Sequence, residues 1–164
     1  MRLEHSAFRR KLAAMENLGG TDLQAVLLNF KGLNVFVEDV HARTEHTLLF
    51  PVLRELVFSC ARQPREILNT LDRLESDHLM LSKLGSTILG NGVSLGRETV
   101  MQRLSLYSRI LVEHNQSEEE LVSEVVADCG VERLRHLLDE KSKKSPPPWE
   151  AIGWRNYEVF MSEA

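Results

Sequence analysis

Residues 30–48 read FKGLNVFVEDVHARTEHTL, and along them Phe30, Asn34, Val37, His41, Glu45 and Leu48 recur at steps of three and four. That spacing puts all six on one face of an α-helix. Residues 104–121 repeat the pattern, with Leu104, Tyr107, Leu111, His114, Glu118 and Leu121 on one stripe. His114-Asn115-Gln116-Ser117-Glu118 answers His41-Ala42-Arg43-Thr44-Glu45, and because each pair continues an apolar stripe, each is expected to point into a core.

One His-x-x-x-Glu pair says little, since with 18 glutamates in 164 residues a glutamate follows a given histidine by four about one time in nine. The other histidines change this: His5 precedes His41 by 36 residues, and His78 precedes His114 by 36. In each half a lone histidine comes first, a glycine turn follows 12 to 15 residues later, and then the His-x-x-x-Glu pair arrives. Glu4 before His5 and Asp77 before His78 agree in kind. The chain therefore reads as two matched helical hairpins, each offering two histidines and one glutamate.

Outward from these stripes the spacing of apolar residues stays helical, and the breaks fall at Gly19-Gly20, Gln63-Pro64, Gly90-Asn91-Gly92, Gly130 and Pro146-Pro147-Pro148. Helices are predicted near 2–18, 22–60, 64–89, 96–128 and 131–142. Thr21-Asp22-Leu23-Gln24 resembles a capping box for the second, and Pro51 is expected to kink or interrupt that helix. Short connections between long helices give antiparallel neighbours, so the predicted fold is all-α, an up-down-up-down four-helix bundle over 1–142 with a short fifth helix. Residues 143–164 form a Pro-rich linker and an aromatic tail with Trp149, Ile152, Trp154, Tyr157, Val159 and Phe160, which docks on the bundle or on a second copy in a homodimer.

The totals exclude several function classes. A net charge of -4 and a pI near 5.9, with Lys141–Lys144 as the single lysine cluster, argue against a nucleic-acid partner. No stretch approaches the roughly 20 apolar residues that span a bilayer, and the first residues lack a signal-peptide pattern. Cys60 and Cys129 form no C-x-x-C and read as free thiols, so the expected location is a reducing cytoplasm.

Six inward donors, His5, His41, Glu45, His78, His114 and Glu118, make a ligand set for a pair of metal ions. Two carboxylates and four imidazoles in one core are hard to satisfy by hydrogen bonds alone. A dinuclear cation satisfies them, with carboxylates bridging and neutral imidazoles terminal. Imidazole and carboxylate without thiolate point to iron, with manganese or zinc as other occupants. Such a set leaves at least one coordination position for a small ligand such as dioxygen, nitric oxide or peroxide. One geometric demand follows: at ~1.5 Å per residue, His5 lies ~20 Å before Gly19-Gly20 and His41 ~30 Å beyond it. Six or seven residues spent in each connection would bring the two level, and the second hairpin carries the same offset.

The order His5, His41 with Glu45, His78, His114 with Glu118 resembles that of the hemerythrin-like, or HHE cation-binding, domains, over residues 1 to about 128. Leu48-Leu49-Phe50-Pro51 after Glu45 is similar to a Leu-Phe-Pro often found there in such domains. The resemblance implies a non-haem di-iron centre with both glutamates bridging and two histidines on each iron. It also implies binding or sensing of oxygen, nitric oxide or iron, or a redox or repair role. Oxygen carriers of that family add a His-x-x-x-His pair on the third helix, where this chain has Leu74 and Ser82 flanking His78. Simple oxygen transport is therefore not expected. Three functions stay open: a sensor or binder without turnover, an enzyme-like role in oxidative or nitrosative stress, and a helical interaction module without metal.

Outside the repeat, His46 and His136 read as exposed histidines. Glu119 and Glu120 read as solvated, and Arg9, Arg10 and Lys11 as a wet face. Tyr107 is either a gate or proton donor beside the site or a core residue with a satisfied hydroxyl.

Overall fold

The computed structural model describes residues 2–18 and 22–162, with the side chains of Arg2, Leu3, Val93, Pro148 and Trp149 outside that description. The described residues form six helices and no strand: α1 (Arg2–Leu18), α2 (residues 23–60), α3 (Pro64–Leu95), α4 (Arg97–Cys129), α5 (Val131–Ser142) and α6 (Trp154–Ser162), with a 3-10 turn at Pro148–Ala151. The Gly19-Gly20 break and Thr21 lie outside the described residues. Asp22 is the N-cap of α2, its carboxylate accepting from the Ala25 N–H at 3.0 Å.

Pro51 does not break α2. Two π-helical stretches, Val37–Ala42 and Glu45–Leu49, precede it, and the Phe50 N–H reaches back five residues to the Glu45 carbonyl. A proline has no N–H for the carbonyl four residues earlier and crowds it, and a widened turn relieves both problems while the helix continues. Thr44 and Thr47 donate their hydroxyls to the Val40 and Arg43 carbonyls within this stretch.

The predicted end of α3 at residue 89 is corrected. The helix runs through Gly90, Asn91 and Gly92 to Leu95, and the turn is made by Gly96 at φ 76°, a conformation open to glycine. Gly92 belongs inside the helix because a Cβ there would meet the Leu27 side chain at 2.8 Å. Gly96 stands 18 residues after His78 and 18 before His114. The offset expected in that hairpin is removed by a longer helix, not a longer loop.

The helices bury two apolar clusters. Phe8, Leu12, Phe30, Leu81, Ile88 and Leu111 represent the first, which joins α1 and the first part of α2 to α3 and α4. Leu53, Leu56, Leu71, Leu74, Leu121 and Leu134 represent the second, which joins the far part of α2 to α3, α4 and α5. The tail packs on the chain itself: Phe160 stacks on Phe36 at 3.9 Å, with Tyr157 and Ile152 beside the first cluster. Lys11 lies 4.7 Å over the Phe160 ring and so is not part of a wet face.

The cysteines are not free thiols. Cys60 at the end of α2 and Cys129 at the end of α4 form a disulfide, with Cα atoms 5.4 Å apart. Packing of helix ends 69 residues apart created that proximity, which cysteine spacing did not reveal. Cysteines paired in this way give no support to a reducing location. No helix among the described residues is long and apolar enough to cross a membrane. A cross-link over that separation restricts the unfolded chain enough to contribute about 4 kcal/mol on the chain-entropy account. Urea unfolding with and without dithiothreitol should show a loss of that order on reduction, with helix content retained at zero denaturant.

Candidate metal centre

Between the two apolar clusters lies one polar layer. His5 from α1, His41 and Glu45 from α2, His78 from α3, and His114 and Glu118 from α4 are all buried in it. All six side chains singled out from the sequence are therefore brought together. Donor atoms of His5, His41, Glu45 and Glu118 lie within 4.8 Å of one another, and so do donor atoms of Glu45, His78 and His114. Glu45 belongs to both groups. Glu118 belongs to the first alone, which differs from the expectation that both carboxylates are shared.

The four imidazoles are oriented alike, each turning Nε2 toward the carboxylates. His5 Nε2 stands 3.0 Å from Glu118 Oε2, and His41 Nε2 stands 2.8 Å from Glu45 Oε1. His78 Nε2 and His114 Nε2 lie 3.0 and 3.3 Å from Glu45 Oε2. Each Nδ1 faces outward to a second group: Glu119 at 2.8 Å for His5, Glu4 at 3.3 Å for His41, His46 at 3.0 Å for His78, and Asp77 at 3.7 Å for His114. In a neutral imidazole, an outward Nδ1–H on an acceptor, as at His5 with Glu119 at 2.8 Å, leaves an Nε2 lone pair facing inward. Ring packing holds the planes, with Phe50 stacked on His78 at 5.9 Å and Phe8 edge-on to His41 at 5.0 Å.

Close approach without hydrogen-bond geometry is the signature of donors aimed at a shared point. His5 Nε2, His41 Nε2, Glu45 Oε1 and both Glu118 oxygens are buried without a hydrogen-bond partner. His78 Nε2 and His114 Nε2 are 3.1 Å apart and both lie within 3.3 Å of Glu45 Oε2, close enough either to share a proton or to share a cation. Each unsatisfied buried polar group costs about 1–3 kcal/mol. A cation coordinated by these atoms would remove that cost, and the residues present fit one.

Electrostatics within the layer are uneven. Burial opposes the charged form of His41, but the Glu45 carboxylate 2.8 Å away, the hydrogen bond to Glu4, and Glu118 push its pKa up to about 10. Burial likewise opposes ionisation of Glu45, yet His41 and the hydrogen bonds from His114, His41 and His78 hold it well below the usual carboxylate range. Glu118 is pushed up, by burial first and by Glu45 as well.

Two readings are corrected. Glu119 is not simply solvated, because it bonds the outer nitrogen of His5, whereas His46 is exposed, as expected, and from there bonds His78 Nδ1. For Glu119 the adjacent charge run hid the signal. His46 bonds a residue 32 positions away, and nothing local announces it. Tyr107 is core, edge-on to Phe30 at 4.9 Å, but its hydroxyl is buried without a hydrogen-bond partner, and burial, with Glu38, pushes its pKa up. His136 is exposed, as expected.

Compared with known proteins, the chain matches no protein-family model, no curated protein and no solved structure. The site is therefore read from its own atoms.

His114→Ala or Glu118→Ala should abolish metal loading while His136→Ala keeps it, as measured by metal analysis after dialysis. Equal loading in all three would refute the ligand assignment. With the His41 pKa pushed up to about 10, metal binding there should displace a proton and weaken as pH falls, which a pH-stat titration with ferrous iron would record.

Proposed function

We propose that this chain is a hemerythrin-like non-haem di-iron protein that binds a small ligand, dioxygen, nitric oxide or peroxide, in sensing or in the handling of iron or stress. The observation that carries the reading is the common orientation of the four imidazoles, Nε2 inward around two buried carboxylates. In this reading α1 to α4 form an up-down-up-down four-helix bundle, and α5 and α6 are additions to it.

His5, His41 and Glu118 would hold one ion, His78 and His114 the other, and Glu45 would serve both. Iron suits nitrogen and oxygen donors without thiolate, and manganese and zinc fit the same set. Bound there, an iron pair supplies redox capacity and an open coordination position. The chain's own part is to keep four neutral imidazoles in one tautomer, to balance cationic charge with Glu45 and Glu118, and to exclude bulk water with the clusters above and below. Glu4, Glu119 and Asp77 accept from, or face, the outer nitrogens of His41, His5 and His114 and raise their basicity as ligands.

The test is iron content together with the ultraviolet-visible spectrum of protein reconstituted anaerobically, before and after air, nitric oxide or peroxide. About two irons per chain and a stable spectral change with one of these ligands are expected. Repeated consumption of peroxide would shift the reading to catalysis. Retention of no metal at all would leave a helical interaction module.

A further inference from the structure

The C-terminal helix reaches the metal centre through one hydrogen-bonded chain. Tyr157 on α6 donates its hydroxyl to Glu4 Oε1 at 3.3 Å, and the other oxygen of the same carboxylate, Oε2, lies 3.3 Å from His41 Nδ1. Three elements distant in sequence, α6, α1 and α2, thus meet at one carboxylate one bond removed from the inward donor set. We propose that Tyr157 is a positioning residue of the metal centre, acting through Glu4 to orient His41, so that α6 completes the site. This rests on the reading of His41 as a metal ligand.

The chemistry assigns direction along the chain. Glu4 is held below the usual carboxylate range: burial opposes its charge, but His41 overcomes that, and the Tyr157 hydrogen bond helps. The Tyr157 phenol is pushed up to about 12 by burial and by Glu4, and so remains a donor. A carboxylate with one oxygen fixed by a phenol has fewer ways to rotate, and its second oxygen is presented to the His41 N–H. That N–H fixes which His41 nitrogen faces inward.

Packing alone does not call for the hydroxyl. Phe160 supplies the main apolar anchor, stacked on Phe36 at 3.9 Å and near Phe8 at 6.1 Å. The Tyr157 ring adds a stack on Phe36 at 5.4 Å and another with Trp154 at 5.9 Å. A phenylalanine at position 157 would keep both stacks. The oxygen is the part aimed at Glu4, and α1, which carries Glu4 and His5, also meets α6 through Phe8 and Lys11.

The experiment compares wild type, Tyr157→Phe, Glu4→Gln and the double variant, each loaded with ferrous iron under anaerobic conditions and, in parallel, with cobalt(II) as a spectroscopic probe. Loss of an outer partner of a metal-bound histidine typically weakens metal affinity by about 10–100-fold. Tyr157→Phe should fall near the low end, roughly tenfold, with faster metal release and shifted cobalt(II) absorption bands. In the Glu4→Gln background it should add no further loss, because the route is already cut. Metal-free wild type and Tyr157→Phe should melt within a few degrees of each other, whereas a packing role would lower the melting temperature and leave the cobalt(II) bands in place. Unchanged affinity and spectrum in Tyr157→Phe, or the same loss in both backgrounds, would overturn this inference alone. Failure of the wild type to take up metal would overturn the di-metal reading and this inference with it.

Discussion

Two carboxylates and four imidazoles cannot be enclosed between apolar clusters without something to meet their lone pairs. A buried polar group left without a partner is costly, and charge in a dry interior more so. Here the inward face of the layer has close approaches but few hydrogen bonds, while on the outward face Nδ1 of His5, His41 and His78 has a hydrogen-bond partner and that of His114 faces Asp77 at 3.7 Å without one. The layer is therefore built to present lone pairs inward. A cation could resolve that arrangement, and the surrounding helices hold the six side chains level and turned toward one another.

Levelling is done by backbone devices. Gly96, equidistant from His78 and His114, lets α3 and α4 bring those residues opposite each other. In α2 the π-helical stretches coincide with His41 and Glu45, so the widened turns carry the ligand pair as well as accommodating Pro51. Such turns recur at functional sites because they re-aim side chains without breaking a helix. Gly85 marks a further close approach: a Cβ there would meet Asn34 Oδ1 at 2.0 Å, so α3 meets the buried Asn34 of α2 at a point where a side chain would collide.

The two ends of the molecule are tied differently. At one end the Cys60–Cys129 disulfide joins α2 to α4, reinforced by Arg62, whose N–H and guanidinium meet the Asp128 carboxylate at 2.8 and 3.3 Å. Phe160 and Tyr157 of the tail hold α1, the helix that carries His5, against α2. His5 is fully buried under this arrangement.

The sequence by itself determined the helical class and which six side chains share the buried polar layer, because both are periodic. Apolar residues at steps of three and four mark a helix face, and a 36-residue repeat of histidines marks two hairpins with matched donors. It also carried the ends of α2 and α5, where proline, glycine or a polar cap lies next to the break. What lacked periodicity was decided by tertiary packing. The Gly90-Asn91-Gly92 signal lost to continued packing of α3, since Gly92 fits beneath Leu27. Cys60 with Cys129, His46 with His78, and Tyr157 with Glu4 are each between 32 and 153 residues apart, and only the meeting of whole helices brings such pairs together. Short-range spacing reports the face a residue shares, whereas its partner on the next helix depends on where each helix ends, how far it is shifted along its neighbour and which way it is turned.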